Sequence, residues 1–232
     1  MTAAAGLLAF AAAVGLATPA AAAGRGVQLR SLDGVALAAT LYEAADPSAP
    51  GVVLVHMLTR SKDDWRGFAE RLQAAGLAAL AVDLRGHGGS GGDGRPAPAM
   101  AQDVAAAAAF LGGRPGGRRV AVVGASLGAS LAVIAAADAP SIREVVLVSP
   151  AADYRGVRFD AALRKYGARP MLLVASTEDP YALRTVRALV ADASGTREQQ
   201  LSDVPSHGTA LLERDPAAAA AVVDWLRRTL LF

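Results

Sequence analysis

Ser126, His207 and an aspartate between them have the residue types of a nucleophile, its base and an orienting acid. Ser126 lies in Gly124-Ala125-Ser126-Leu127-Gly128. A serine hydroxyl becomes a competent nucleophile when an adjacent base takes its proton. The pentapeptide follows the apolar run Val120-Ala121-Val122-Val123 and precedes an apolar helical stretch. That context predicts a tight strand-to-helix turn with the hydroxyl raised out of the sheet. The positions two residues either side of the serine must then be small, and both are glycine. The turn also sets the hydroxyl at a helix N-terminus, where the dipole favours developing negative charge.

The chain has 3 histidines, His56, His87 and His207. Behind a serine presented in this way, the acid and then the histidine follow in chain order. Of the three, His207 alone lies beyond Ser126, in Pro205-Ser206-His207-Gly208. A loop position lets the imidazole approach the hydroxyl and accept its proton. The acid expected is Asp179, in Thr177-Glu178-Asp179-Pro180 just past the expected strand that ends Met171-Leu172-Leu173-Val174-Ala175-Ser176. Glu178, Asp153 and Asp203 stand as alternatives. Together the three groups would carry out nucleophilic acyl transfer.

From about Val27 onward the chain resembles the α/β-hydrolase family. Besides the serine turn it contains Asp83-Leu84-Arg85-Gly86-His87-Gly88-Gly89-Ser90, similar to that family's D-x-R-G-H-G-x-S loop. The resemblance makes His87 a structural loop residue. It also matches the family's oxyanion-hole loop to His56-Met57-Leu58-Thr59-Arg60-Ser61. The N–H donors it implies are those of Leu58 and Leu127, with Met57 an alternative to Leu58. Met57 stands where the family usually has glycine, which sets a flexible apolar side chain beside the acyl pocket. His56 reads as a buried strand-end residue. The family often inserts a lid after the strand ending at Ser149-Pro150. Here residues 151–169 have room for a short segment with one helix, Phe159–Tyr166. An open site for small or polymer-borne acyl substrates is expected.

The elements that must position these groups alternate along the chain. Val27–Tyr42 contains an Asp33-Gly34 turn signal and predicts an antiparallel hairpin. Strands are expected at 51–56, 77–83, 118–123, 144–149, 170–176 and 197–202. Helices are expected after Asp63 or Asp64 as N-cap, and over 100–111, 127–137 and 181–192. A last helix opens at Asp215-Pro216. The order predicts an α/β-hydrolase fold, with a mostly parallel sheet of about eight strands and helices on both faces.

Composition narrows the alternatives. Hydrophobic residues make up 53% of the 232 and charged residues 19%, which excludes a disordered chain. Net charge is +2 with scattered arginines, so no nucleic-acid footprint is expected. Cysteine is absent, which removes disulfides, thiolate metal sites and a cysteine nucleophile. The reaction expected needs no cofactor and no metal. Residues 1–23 read as a leader, with an apolar run from Ala3 to Ala17 and a small-residue cleavage site at Ala20–Ala23. A cleaved leader implies a secreted or periplasmic protein without a stable membrane span. An uncleaved one implies an N-terminal anchor or a cytoplasmic chain. Residues 24–232 then form a single domain. A non-catalytic binding protein on the same fold, or a peptidase, thioesterase or acyltransferase with the same residues, are the competing readings.

Overall fold

The computed structural model describes residues 23–231, apart from 95, 116, 118, 193 and 194. The leader expected at 1–23 therefore lies almost wholly outside the described residues.

Eight strands form one sheet. In chain order they are β1 (Arg25–Arg30), β2 (Ala36–Tyr42), β3 (Gly51–Val55), β4 (Ala78–Val82), β5 (Val120–Ala125) and β6 (Ile142–Val148), then β9 (Met171–Ser176) and β10 (Arg197–Ser202), after a small separate hairpin, β7 (Asp153–Tyr154) and β8 (Val157–Arg158). The spatial order is β1-β2-β4-β3-β5-β6-β9-β10. β2 runs against both of its neighbours, and every other pairing in the sheet is parallel. The parallel strands read as unbroken apolar runs because both of their faces are covered. Val52–Val55 and Val145–Val148, for example, are all fully buried.

Alternate side chains along the strands feed two cores. Val53 and Val55 point into one, which is filled by α2 (Ala97–Gly112), α3 (Leu127–Asp138), α4 (Asp160–Tyr166) and α5 (Pro180–Ala191). Val52 and Leu54 point into the other, which is filled by α1 (Arg66–Ala74), α6 (Thr209–Arg214) and α7 (Pro216–Leu231). No described helix is long and apolar enough to cross a membrane.

Three local features differ from the sequence expectation. The first helix is not capped by Asp63 or Asp64. Ser61 Oγ accepts the Asp63 N–H at 3.3 Å and opens a single 3-10 turn, Lys62–Trp65, ahead of α1. The reason is tertiary: the buried Asp83 carboxylate draws the Lys62 N–H to 2.7 Å, so the chain coils two to three residues early. The stretch 151–169 holds the β7–β8 hairpin as well as its helix. α6 is an additional helix between β10 and α7. Asp215 does cap α7, accepting the N–H groups of Ala217 and Ala218 at 3.0 Å each.

Candidate active site

The register aligns the strand ends. Val55 sits opposite both Val82 and Gly124, Ala125 opposite Val148, and Ser176 opposite Ser202. The candidate residues all lie just beyond this carboxyl edge, where open parallel sheets bind their ligands.

Ser126 occupies the turn between β5 and α3 with φ 51° and ψ −114°. A non-glycine residue at positive φ costs about 1–3 kcal/mol and persists only where its surroundings enforce it. The enforcement is visible. The Ser126 N–H donates to Val148 O at 2.9 Å, and its carbonyl accepts from Ala129 N–H at 3.0 Å. A methyl group on Gly124 would lie 2.1 Å from Gly128 O, and one on Gly128 would lie 2.4 Å from Val55 O. β3, β5 and α3 therefore meet backbone to backbone, and no side chain fits at either glycine.

Asp179 ends the loop after β9 and does two jobs with two oxygens. Oδ1 accepts the Ala182 N–H at 3.1 Å, capping α5. Oδ2 lies 2.6 Å from His207 Nδ1. The carboxylate side chain is 12% exposed and the imidazole 50%. Nδ1 thus carries the proton, and Nε2 is left as an acceptor. Two of the alternatives to Asp179 are engaged elsewhere: Asp153 Oδ1 accepts the Gly156 N–H at 2.9 Å, and Asp203 Oδ1 accepts from Thr177 Oγ1 at 3.2 Å. The hydrogen bonds among the described residues do not include one joining Ser126 Oγ to His207. Such contacts commonly tighten only when substrate is bound.

Leu58 and Leu127 flank the serine turn, one half-buried at the end of β3 and one buried at the start of α3. Among the described residues neither backbone N–H donates to a protein acceptor. The loop bearing Leu58 is held by both upstream histidines. His56 is fully buried, accepts the Leu84 N–H on Nε2 at 3.0 Å, and so donates from Nδ1 to Met57 O at 2.6 Å. Burial lowers its pKa and keeps the ring neutral. His87 bonds to Arg85 O through Nδ1 at 3.0 Å and accepts the Thr59 N–H on Nε2 at 3.4 Å. Thr59 itself has φ 62°.

Several supporting contacts escaped the sequence reading. Asp83, fully buried, accepts from Lys62 Nζ at 2.9 Å and from the Gly89 N–H at 2.9 Å. Burial would raise this carboxyl, but the bonds from Lys62 and Gly89 outweigh it and hold it below the usual carboxylate range. Arg85 bridges buried Asp103 at 2.7 Å and Asp33 at 2.6 Å. Ser149, buried at the end of β6 with φ 48°, accepts the Gly208 N–H at 2.9 Å. The D-x-R-G-H-G-x-S pattern pointed to Asp83 and Arg85, but their partners are remote in sequence.

A cleft of about 280 Å³ opens beside Met57, lined also by Arg60, Asp64, Thr209, Ala210 and Glu213. Phe159, Leu163 and Tyr166 of the 151–169 segment pack into the α3 side of the core. Among the described residues no group of three or more His, Cys, Asp or Glu side chains is placed to hold a metal ion.

The comparisons agree with this architecture. Residues 46–171 match the family described as serine aminopeptidase, S33. No curated protein matches significantly. Among solved structures, an esterase of Pyrococcus furiosus superposes with a TM-score of 0.74 at 20% identity, covering 88% of this chain and 91% of that one. A dienelactone hydrolase of Anabaena variabilis gives 0.71 at 23%, covering 88% and 95%. An α/β hydrolase of Novosphingobium aromaticivorans gives 0.69 at 20%, covering 89% and 99%. At these identities the structural likeness speaks for the fold.

Proposed function

The chain belongs to the serine aminopeptidase, S33, family of α/β hydrolases, and from that premise we propose that this hydrolase cleaves carboxylic esters through Ser126, His207 and Asp179. The observation that carries the reading is the 2.6 Å bond from His207 Nδ1 to Asp179 Oδ2, on strand ends that also present the strained Ser126 turn. His207 Nε2 takes the Ser126 proton as Oγ attacks the carbonyl carbon. Asp179 steadies the imidazolium that forms. The Leu58 and Leu127 N–H groups receive the tetrahedral oxyanion; such donors supply a large share of the rate. His207 then protonates the leaving alcohol, and a water deprotonated by the same imidazole releases the acyl group from Ser126. The short 151–169 segment suits small or polymer-borne acyl substrates better than long free acyl chains.

The description of the matched family favours a second reading, hydrolysis of a peptide bond at an amino terminus by the same three residues. The test is fluorophosphonate labelling of wild type, Ser126→Ala and His207→Ala, followed by rates on p-nitrophenyl butyrate and on aminoacyl p-nitroanilides. Labelling lost in Ser126→Ala with faster ester turnover supports the esterase. Faster anilide turnover selects the peptidase. A folded wild type that neither labels nor turns over either substrate overturns both and leaves a binding protein.

A further inference from the structure

Met57 leaves the end of β3 beside the candidate oxyanion donors, and its side chain reaches across to the His207 loop. A methyl group on Gly208 would meet Met57 Sδ at 1.9 Å, Cγ at 3.1 Å and Cε at 3.2 Å. The thioether therefore covers the Cα of the residue that follows His207. On its other flank Gly208 is held by its N–H, which donates to the buried Ser149 Oγ at 2.9 Å. Ser149 is in turn tied to β9 through its own N–H, on Val174 O at 2.7 Å. Gly208 has φ 61° and ψ −136°, a conformation suited to glycine.

Met57 is itself anchored. Its carbonyl accepts from His56 Nδ1 at 2.6 Å and from the Arg60 N–H at 3.3 Å. His56 is fixed at its far nitrogen by Leu84 at the end of β4. A continuous path of contacts thus runs from β4 through His56 and Met57 to Gly208 and on to β6. The His207 imidazole is half exposed, and Asp179 is its one hydrogen-bond partner among the described residues. With half of the imidazole open to solvent, its placement rests on the Asp179 bond and on the grip on the adjoining backbone.

We propose that Met57 is a positioning residue that clamps Gly208 and thereby sets His207 relative to the oxyanion loop. The inference rests on the reading of Ser126 and His207 given above. An unbranched thioether suits the role, because its rotatable bonds let it fill an irregular gap between two loops. Glycine at position 57 would leave the face of Gly208 uncovered. Displacement of a reacting group by about 1 Å costs on the order of a hundredfold in rate. Loosening the clamp therefore lowers kcat and leaves KM nearly unchanged.

The experiment compares wild type, Met57→Leu, Met57→Ala, Gly208→Ala and the Met57→Ala/Gly208→Ala double variant on p-nitrophenyl butyrate, with melting temperatures alongside. Met57→Ala is expected to lose roughly 10- to 100-fold in kcat with KM within about threefold, and Met57→Leu to recover most of it. Gly208→Ala introduces both a collision with Met57 and backbone strain. In the Met57→Ala background the collision is gone, so its further loss is expected to be smaller than in wild type. If Gly208→Ala does not fold, the Leu and Ala variants at 57 decide alone. An active wild type whose Met57→Ala variant keeps half or more of its kcat overturns the clamp. So does a raised KM at unchanged kcat, which would make Met57 a wall of the substrate site. A wild type that neither labels with fluorophosphonate nor hydrolyses the ester sinks the underlying reading instead, so the two failures are told apart.

Discussion

Replacing Asp179 by asparagine and by alanine separates the two roles its oxygens play. Oδ1 caps α5 through Ala182, and Oδ2 holds His207 Nδ1. Asparagine caps helices as well as aspartate does. Its amide can therefore keep the bond from Ala182 and leave α5 in place. Toward His207 the same amide presents an N–H, which favours the tautomer protonated at Nε2. That tautomer cannot accept the Ser126 proton, and the imidazolium loses its counter-charge. A wrong tautomer at this position lowers kcat by roughly ten-thousandfold, about 5 kcal/mol of transition-state stabilisation. Asp179→Ala adds loss of the cap, about 1 kcal/mol, or about 2–4 °C in a domain of this size. Steady-state kinetics on p-nitrophenyl butyrate and thermal melting read the two effects independently. The expected pattern is near-equal activity loss in both variants and a drop in melting temperature mainly in the alanine. If Asp179→Asn keeps more than a tenth of the wild-type kcat/KM, Asp179 does not orient the base, and Asp153, Glu178 and Asp203 return as candidates.

Further predictions follow from buried groups. Glu144, on β6, is 2% exposed and accepts from Thr229 Oγ1 at 2.7 Å; burial pushes it up to about 7 from 4.5. The folded state then holds a proton that the unfolded state releases, so wild type loses stability from pH 4.5 to 7, and Glu144→Gln should gain on it by about 3 kcal/mol between pH 4.5 and 8 in urea unfolding; a pH-independent difference would refute this. Asp103 is fully buried on Arg85 whereas Asp33 is 41% exposed on the same guanidinium. Asp103→Asn should therefore destabilise by about 3 kcal/mol in the same assay, and Asp33→Asn should change it little; equal effects would contradict the burial argument. Met57 is half-buried while Met100 and Met171 are buried. Dilute peroxide should inactivate wild type by converting the Met57 thioether to its sulfoxide, and Met57→Leu should resist; equal sensitivity of the two proteins would count against the role given to Met57.

Much of the fold could be read from the sequence because doubly covered parallel strands leave a plain signature. Val52–Val55, Val120–Val123 and Met171–Ala175 are short unbroken apolar runs, and each lies in a strand. The hairpin at Asp33-Gly34 was legible from turn chemistry. Features set by tertiary contact were not. Ser61 opens the 3-10 turn because Asp83, 21 residues away, draws in Lys62. α6 is short, and its burial against α1 and α7 is not written in a local period. At the candidate site, chain order left few choices for the proposed nucleophile, acid and base, Ser126, Asp179 and His207, and the structure joins the last two. Arg85 with Asp33 spans 52 residues and Ser149 with Gly208 spans 59. No local pattern encodes such pairs, since nothing near either partner in the chain specifies the other.

The departure at position 57 shows how a local rule and a global constraint interact. Read locally, methionine in a loop expected to carry glycine weakens the case for an oxyanion hole. In the folded chain the two residues exchange places: the side chain absent from Gly208 makes room for the one present at Met57. Either substitution alone leaves a defect, a void over Gly208 or a collision at it. The pair leaves neither, and it joins two loops that sequence order keeps far apart. Among the described residues the Leu58 and Leu127 N–H groups donate to no protein acceptor in this arrangement. The larger residue at 57 is therefore compatible with oxyanion donors at both positions.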